Sequence, residues 1–326
     1  MKALFYEQYG GPEVLGFKDV EKPTPGKGEV LIKVYATTVN RTDSATIRPI
    51  PIIARLMTGL FRPKWNIPGS EFAGIVEGIG NEVQSLKVGD KVFGFLDFNS
   101  GSHAQYMTIR EDHAITIPDH LPYTQAAANS EGAHYAYNFI KKINLEKGHE
   151  VLVYGGTGAI GSAAIQLLKY FGAQVTAVCD TKNMDLMKSI GAYRVIDYTK
   201  EDYTRDQQRY HFVFDTVGKI SFFQCRHLLL KGGVYISSDL GFMAQNVFLP
   251  FITPIIKPLL GAKKTAFPFP TDVQGTLRLI KKLIEQGHFK AVIDRTYPFE
   301  EIIEAYKYVQ LGQKTGNVVI SVEHDS

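Results

Sequence analysis

The chain has 326 residues, of which 44% are hydrophobic and 21% are charged, with 36 Lys and Arg against 33 Asp and Glu. This length predicts two domains, and the net charge of +3 without a long basic run argues against a nucleic-acid-binding protein. Two cysteines are too few for a disulfide framework and no signal peptide opens the chain, so we expect a cytoplasmic location.

Residues 1–122 are predicted to be mostly β-structure. Strand candidates with turn residues between them are Glu29–Tyr35, Ala73–Ile79 and His103–Ile109. This spacing suits a small barrel. The apolar residues of Pro49–Trp65 are expected to wall a substrate cleft, although a helix packed on the barrel would have a similar composition.

The hydrophobic period changes from about Tyr123 onward, and residues 123–290 are predicted to form a second domain. A helical stretch, Thr124–Lys142, leads into strands that alternate with helices. This alternation is typical of an α/β domain with a doubly wound parallel sheet. The strands are expected near Val151, Gln174, Arg194, His211 and Gly233.

A glycine fingerprint lies at the start of this sheet, in Val151–Gly161. An apolar strand runs into Gly156-x-Gly158-x-x-Gly161 and a helical run follows at once, as in a dinucleotide-binding turn. We expect Gly156 to permit the turn, Gly158 to let the backbone approach a pyrophosphate, and Gly161 to let helix and strand pack closely. Gln174–Cys179 is placed as the second strand of the βαβ unit.

Two further segments stand out towards the end of the chain. The stretch Val247–Leu260 is apolar but too short to span a bilayer and contains three prolines, so we expect a loop or broken helix that lines a pocket or packs on a partner. Residues 291–326 do not continue the alternation of strands and helices, because two predicted strands flank a helix at Phe299–Gln310. We expect these residues to rejoin the first domain. The cleft between the domains is the default site.

Several motifs in a fixed order together resemble one enzyme superfamily. They are Lys2–Phe5, Gly28–Val34, Asn40–Asp43 with Arg48, Pro68–Glu77, Val88–Gly94, the glycine fingerprint, Ile190–Ala192, Val195–Tyr198, Phe214–Gly218 and Lys314–Val319. The chain is similar over nearly its whole length to the medium-chain dehydrogenase/reductase superfamily, in its zinc-independent quinone oxidoreductase and enone reductase branch. The resemblance implies a GroES-like β-barrel domain, a Rossmann domain and a nicotinamide cofactor between them. It also implies a dimer or tetramer, of which we expect a homodimer.

The resemblance also bears on zinc. The zinc alcohol dehydrogenases of this superfamily have a cysteine ligand where this chain has Asn40, and a histidine ligand where it has Ser70. The four cysteines of their structural zinc lobe are absent as well. We therefore expect no zinc.

Without a metal, alcohol oxidation is disfavoured, because zinc enzymes rely on the metal as a Lewis acid to hold the developing alkoxide. A quinone or an α,β-unsaturated carbonyl is conjugated, so hydride addition gives a delocalised product that hydrogen-bond donors can stabilise. We therefore predict reduction of a small, apolar quinone or enone.

Three residues are candidates for the catalytic region. The resemblance places Asn40 and Asp43 near the nicotinamide, although an Asx turn after the strand at Glu29 would need the same residues. Arg48 would pair with Asp43 or steer a substrate. Tyr135 stands where the branch usually has threonine, and its phenol would donate a hydrogen bond to a carbonyl or only narrow the pocket.

Glu131 and His134 are further acid/base candidates, and a capping or solvent-facing role for His134 is equally open.

The choice of cofactor depends on residues after the second strand. Asp180 lies at the distance where a carboxylate binds the ribose of NADH. In the branch that the chain resembles, Cys179 takes the carboxylate's place, and Lys182 and Tyr198 lie on the side of the 2′-phosphate of NADPH. We favour NADPH, with NADH as the alternative. The expected cofactor-binding residues are Gly156, Thr157, Gly158, Ala159, Ile160, Asp180, Thr181, Lys182, Tyr198, Val217 and Asn317.

Other functions share parts of this pattern. A short-chain dehydrogenase is disfavoured, because Tyr137 and Lys141 precede the glycine run instead of following it. A nucleotide-binding protein without turnover, acting as a sensor or a partner platform, would have the same fingerprint. A zinc-free alcohol dehydrogenase is a weaker alternative. The sequence leaves open whether quinone reduction proceeds by one or two electrons.

Overall fold

The computed structural model describes residues 1–49, 55–96, 101–241, 245–253 and 261–324. The chain forms two compact units, one made of Met1–Glu131 with Asp272–Ser326 and the other of Gly132–Thr271. The domain boundaries placed at residues 122 and 290 from the sequence stay predictions. No described helix is long and apolar enough to cross a membrane.

The first unit is mostly β-structure. Its strands are β1 (Lys2–Phe5), β2 (Gly16–Asp19), β3 (Glu29–Val39), β4 (Glu71–Ile79), β5 (Lys91–Phe95), β6 (Tyr106–Arg110), β7 (Ala114–Thr116), β14 (Ile293–Pro298) and β15 (Asn317–Ser321). Its helices are α1 (Arg41–Ile47), α2 (Arg55–Thr58), α3 (Tyr123–Ala127), α9 (Val273–Glu285) and α10 (Ile302–Gln310). Within the described residues, one sheet has the order β14-β15-β3-β4-β5-β7, and β6 pairs with β3.

Strand β3 is central to this unit because it pairs with β4, β6 and β15. Its side chains are mostly buried, which explains why it reads as a nearly continuous run of β-branched and apolar residues. Helix α10 covers part of the same core with Ile302, Tyr306 and Val309. The end of β3 at Val39 leads directly into Asn40 and α1, so the rigid core fixes the start of that helix.

The second unit contains a parallel sheet. Its strands are β8 (Glu150–Tyr154), β9 (Gln174–Cys179), β10 (Arg194–Asp197), β11 (Tyr210–Asp215), β12 (Leu229–Ser237) and β13 (Lys264–Ala266). Its helices are α4 (Glu131–Lys141, whose first residue belongs to the first unit), α5 (Ala159–Tyr170), α6 (Met184–Ile190), α7 (Phe222–Cys225) and α8 (Gln245–Ile252). The strand order β10-β9-β8-β11-β12-β13, with every pairing parallel, is that of a doubly wound dinucleotide-binding fold. The predicted fold class is therefore confirmed.

Some elements differ from the sequence-based expectation. The single helix expected over Thr124–Lys142 is two helices, α3 and α4, separated at residues 128–130. The break occurs because the carboxylate of Glu71 binds the backbone N–H groups of Ser130 and Glu131 and so caps α4.

Two apolar segments are described only in part. Of Val247–Leu260, residues up to 253 belong to or follow α8, a helix that contains Pro250, while residues 254–260 lie outside the described ranges. Of Pro49–Trp65, residues 50–54 lie outside them too, and α2 forms part of the remainder. Whether these segments line a substrate cleft or a partner interface stays a prediction.

Candidate functional site

The glycine fingerprint forms the turn between β8 and α5. The left-handed conformation falls on Gly155, with a φ of +81°, and not on Gly156 as expected. A Cβ on Gly156 would lie 3.1 Å from Ile165 Cδ1 and from Met187 Sδ, so the side chains packed under the turn leave little room at this position. The backbone freedom that the turn requires is therefore one residue earlier than the motif suggests.

The next two glycines behave differently from each other. A Cβ on Gly161 would lie 2.1 Å from the carbonyl oxygen of Gly155, so only glycine permits this approach of helix and turn. A Cβ on Gly158 would have no neighbour closer than 3.6 Å, so the protein itself leaves the space beside Gly158 open. Gly158 precedes α5, and the N–H groups of the first helical turn, at Ala159 and Ile160, face out of the helix end.

The loop after β11 borders the same turn. A Cβ on Gly155 would lie 2.7 Å from Val217 Cγ1, which places Val217 beside the turn. Buried Asp215 holds this loop, because its Oδ1 accepts hydrogen bonds from the N–H groups of Val217 (3.2 Å) and Gly218 (2.8 Å). Its Oδ2 accepts from the Tyr235 hydroxyl at 3.1 Å. Asp215 thus fixes the position of Val217 relative to the glycine turn.

A second group lies where β9 and β10 end. Asp180 follows β9, and its Oδ2 lies 3.7 Å from Lys182 Nζ while its Oδ1 accepts a hydrogen bond from Asn183 Nδ2 at 2.6 Å. Tyr198 follows β10 and is exposed, and its backbone N–H donates to Cys179 at 3.0 Å. The Thr181 hydroxyl donates to Asp197. The structure therefore brings Asp180, Thr181, Lys182 and Tyr198 together at one edge of the sheet.

These residues fit two phosphate positions of a dinucleotide, the central pyrophosphate and a phosphate on the adenosine ribose. The open space at Gly158 and the N-terminus of α5 suit a pyrophosphate. The exposed ammonium of Lys182 and the exposed hydroxyl of Tyr198 are donors that suit a further phosphate. The partial neutralisation of Asp180 by Lys182 and Asn183 reduces the repulsion that its carboxylate would exert on that phosphate.

A third group is buried in the first unit around Asn40. The Oδ1 of Asn40 accepts a hydrogen bond from Lys314 Nζ at 2.9 Å. Its Nδ2 lies 3.0 Å from Glu71 Oε2, 3.0 Å from Asn317 Oδ1 and 3.3 Å from Glu131 Oε2. An ammonium on one side and carboxyl groups on the other fix the orientation of the amide.

Glu71 is the best-satisfied acceptor of this group. Its Oε1 accepts from Ser130 N (3.1 Å), Ser130 Oγ (2.9 Å) and Glu131 N (2.6 Å), and its Oε2 accepts from Thr38 Oγ1 (2.6 Å) and Asn40 Nδ2 (3.0 Å). Asp43 accepts from Asn40 N at 2.7 Å and from Ser70 N and Oγ at 3.1 and 3.2 Å. Both side chains therefore join β3, β4 and the starts of α1 and α4.

Burial shifts the ionisation of these groups. Desolvation raises the pKa of Asp43 to about 7 and raises the pKa of Glu71, although hydrogen bonds oppose both changes. Desolvation lowers the pKa of Lys314 to about 8, against the attraction of Glu131 and Glu71. The group thus contains more acidic than basic side chains in a space with little water.

We expect Glu71→Gln to destabilise the first unit by about 3 kcal/mol, because the amide N–H₂ would face groups that are themselves donors. The free energy of unfolding in urea measures the change. Glu77→Gln on the same strand is the matched control, since Glu77 makes an exposed ion pair with Lys22 at 2.7 Å and its replacement should cost less than about 1 kcal/mol. Equal losses in the two variants would contradict the role given to Glu71.

The predicted catalytic residues occupy different surroundings. Asn40 and Asp43 are buried in the group just described. They also form the capping box of α1, which corresponds to the local Asx-type turn considered from the sequence. Arg48 is exposed, and among the described residues the Asp43 carboxylate accepts hydrogen bonds from Asn40 and Ser70 and forms no ion pair with Arg48. Tyr135 is half-buried on α4, next to buried His134. The roles of Asn40, Asp43 and Tyr135 in catalysis stay predictions.

Asn317 lies in the buried group and not in the parallel-sheet unit that holds the other cofactor candidates. It accepts from Asn40 and donates to the carbonyl of Val292 at 3.1 Å. Its contact with a cofactor stays a prediction. Sequence reasoning gave no role to Glu71, Lys314 or Asp215, although each lies in a motif that carries the resemblance.

A zinc ion does not fit these residues. Asn40 presents its N–H₂ to Glu71, and its Oδ1 is held by the ammonium of Lys314, which would repel a cation. The Ser70 hydroxyl donates to Asp43. Across the described ranges, no group of three or more His, Cys, Asp or Glu side chains has an arrangement that could hold a metal ion.

Comparisons with known proteins identify the family of the chain. The family profile of the alcohol dehydrogenase GroES-like domain matches residues 26–119, and that of the zinc-binding dehydrogenases matches residues 190–320. The 2-methylene-furan-3-one reductase of Solanum lycopersicum is 31% identical over 98% of this chain and 79% of its own length. The NADPH-dependent alkenal/one oxidoreductase of Arabidopsis thaliana is 28% identical over 98% of this chain and 79% of its own length.

The fold is shared with a solved structure. The quinone oxidoreductase from Coxiella burnetii superposes with a TM-score of 0.87 at 26% identity, over 99% of both chains. Its similarity extends across both compact units. The chain belongs to the medium-chain dehydrogenase/reductase family, in the branch of the quinone oxidoreductases and enone reductases.

Proposed function

We propose that this protein is an NADPH-dependent reductase that transfers hydride to a small quinone or α,β-unsaturated carbonyl without zinc. The observation that carries the proposal is the hydrogen bond from Lys314 to Asn40, because it puts an internal ammonium against the residue that stands where zinc enzymes of the family have a metal ligand. The names of relatives that reduce furanones, alkenals and quinones support the choice of acceptor.

Residues of the second unit would hold the cofactor. The N-terminus of α5 and the open space at Gly158 receive the pyrophosphate, and Val217 borders that space. Lys182 and Tyr198 donate hydrogen bonds to the 2′-phosphate, and Asp180 stays paired with Lys182. NADPH supplies the hydride when it is bound.

Residues near the reacting atoms complete the proposal. The phenol of Tyr135 donates a hydrogen bond to the carbonyl oxygen of the acceptor, where negative charge develops as hydride adds. Asn40 and Asp43 shape the substrate region as parts of a rigid buried network, and a conjugated acceptor needs no Lewis acid because its negative charge is delocalised. The homodimer and the cytoplasmic location stay predictions.

We expect turnover of NADPH with quinones or enones to survive prolonged chelation, because no step of the reaction uses a metal. The experiment measures NADPH oxidation with a panel of both acceptor classes, and NADPH binding by fluorescence on the same samples. Loss of activity on chelation and its return with zinc would overturn the metal-free proposal. Tight NADPH binding without turnover of any acceptor would instead favour a non-catalytic nucleotide-binding protein.

A further inference from the structure

The buried group around Asn40 contains three carboxyl groups, on Asp43, Glu71 and Glu131, and one ammonium, on Lys314. Three negative charges with one positive charge in a buried space repel each other strongly, so neighbouring carboxyl groups of this kind share protons. One carboxyl group must therefore hold a proton under conditions in which an exposed carboxyl group has lost it. The hydrogen-bond donors around each oxygen atom indicate which one.

A carboxylate is stabilised by the donors that it accepts from, so the group with the fewest donors is the easiest to protonate. Among the residues that the structure describes, Glu71 accepts five hydrogen bonds and Asp43 accepts three. For Glu131, the corresponding partners are Asn40 Nδ2, at 3.3 Å from Oε2, and the side chain of Thr42, with which Glu131 forms a hydrogen bond. The proton therefore belongs on Glu131.

The charged and titratable groups that face this site also favour a proton on Glu131. Burial raises the pKa of Glu131 well above its ordinary value, and the nearby carboxyl groups of Glu71 and Asp43 raise it further, while Lys314 on the other side lowers it. Lys314 is also attracted by Asp294 of β14. Tyr306 of α10 and His103 lie on the side of Asp43, and burial keeps both neutral, because it raises the pKa of Tyr306 and lowers the pKa of His103 to about 4.

We propose that Glu131 is a neutral carboxylic acid at neutral pH and is a positioning residue for Asn40, so that its ionisation sets an upper pH limit for the reductase. The inference rests on the proposed function. As a neutral acid, Glu131 accepts weakly from Asn40 Nδ2 and leaves that group aligned on Glu71. As a carboxylate, it would compete with Glu71 for Nδ2 and with Asn40 for the ammonium of Lys314, and so turn the amide.

The protonation state is tested without any acceptor. We expect the infrared spectrum of the intact protein in mild alkali, where Asp43 with its pKa of about 7 has largely ionised, to contain the carbonyl stretch of a protonated carboxyl group, which is lost in Glu131→Gln. The same band in wild type and variant would overturn the assignment. Glu77→Gln, which alters an exposed carboxylate of the same unit, is the control and should leave the band in place.

The stability of the protein gives a second test with a fixed sign. The folded-state pKa of Glu131 lies above its unfolded value, so the favourable contribution is complete below the unfolded pKa and is lost as the pH rises through the folded one. We expect Glu131→Gln to unfold at the same urea concentration as wild type in mild acid, and at a higher concentration in mild alkali.

The pH profile of turnover tests the positioning role. We expect kcat of the wild-type protein to fall as the pH rises into the alkaline range. In Glu131→Gln, which mimics the neutral acid, this fall should occur at a pH higher by about one unit or more. Glu131→Ala should not reproduce that shift. An identical alkaline limb in wild type and Glu131→Gln would overturn the role. If wild type turned over no acceptor, the proposed function would fail, while the infrared and urea measurements would still decide the state of Glu131.

Discussion

Replacement of Gly158 by valine is expected to weaken NADPH binding by about a hundredfold or more, equivalent to about 3 kcal/mol. The isopropyl group would occupy the open space beside the turn through which a pyrophosphate approaches the N-terminus of α5. The fold should survive, because a Cβ at this position has no neighbour closer than 3.6 Å and φ is −73°. Fluorescence titration with NADPH measures the affinity, and thermal unfolding checks the fold.

Gly161→Ala is the matched control for this experiment. Its Cβ would lie 2.1 Å from the carbonyl oxygen of Gly155, so the variant is expected to lose stability before any effect on the cofactor can be separated. The two glycines belong to one motif, yet in the proposed function one is required by the ligand, whereas the other is required by the packing of the protein itself. A folded Gly158→Val variant with wild-type affinity for NADPH would remove the fingerprint from the proposed function.

The fold could be predicted from the sequence because its signals are local. The strand before the glycine run, the helix after it and the alternation from Val151 to Gly233 follow from residue spacing within each element, and the structure confirms them. The turn was predicted one residue late, since adjacent Gly155 and Gly156 are equivalent in the motif and only the packing of Ile165 and Met187 distinguishes them. Helix α9 has a clear amphipathic pattern that the alternation of strands obscured.

The buried group around Asn40 could not be predicted in the same way. Glu71, Glu131 and Lys314 are separated by 60 and more residues along the chain. Glu131 could be named as an acid/base candidate from its motif, but Glu71 and Lys314 each resemble an ordinary surface charge when considered alone. What brings them together is the pairing of β3 with β4 and β15, together with the capping of α4 by Glu71. The local turn is present as the capping box of α1, but only the hydrogen bonds show that side chains of Glu71, Lys314 and Ser70 also hold Asn40 and Asp43.

The residues after β9 are an intermediate case. Asp180, Lys182 and Asn183 are neighbours in the chain, so their mutual contacts are local and were open to prediction. The sequence could not decide whether Asp180 is free to bind a ribose or is paired with Lys182. The structure shows the pairing at 3.7 Å, with the side chain of Lys182 63% exposed and able to contact a ligand as well.

Lys182→Ala is therefore expected to weaken NADPH while leaving NADH almost unchanged. The loss of one charge-assisted contact to the 2′-phosphate costs ~1.5 to 3 kcal/mol, which is roughly ten- to a hundredfold in affinity. Loss of the ammonium also leaves the Asp180 carboxylate without its ionic partner, which adds repulsion against the phosphate. Lys200→Ala is the matched control, because Lys200 is an exposed cation that follows β10 and pairs with Asp197 at 3.6 Å, and its removal should affect both cofactors little.

Asp180→Ser is expected to act in the opposite direction. It removes a negative charge near the 2′-phosphate and so improves NADPH binding, and it removes an acceptor for the ribose hydroxyl and so weakens NADH slightly. Titration of both cofactors against wild type and these variants gives the dissociation constants that show which cofactor is preferred. Thermal unfolding checks the fold of Asp180→Ser, since Asp180 also accepts a hydrogen bond from Asn183. If wild type preferred NADH and Lys182→Ala changed neither cofactor, Asp180 would be the ribose ligand. The choice of NADPH would then be wrong, although the fold and the proposed zinc-free reduction would stand.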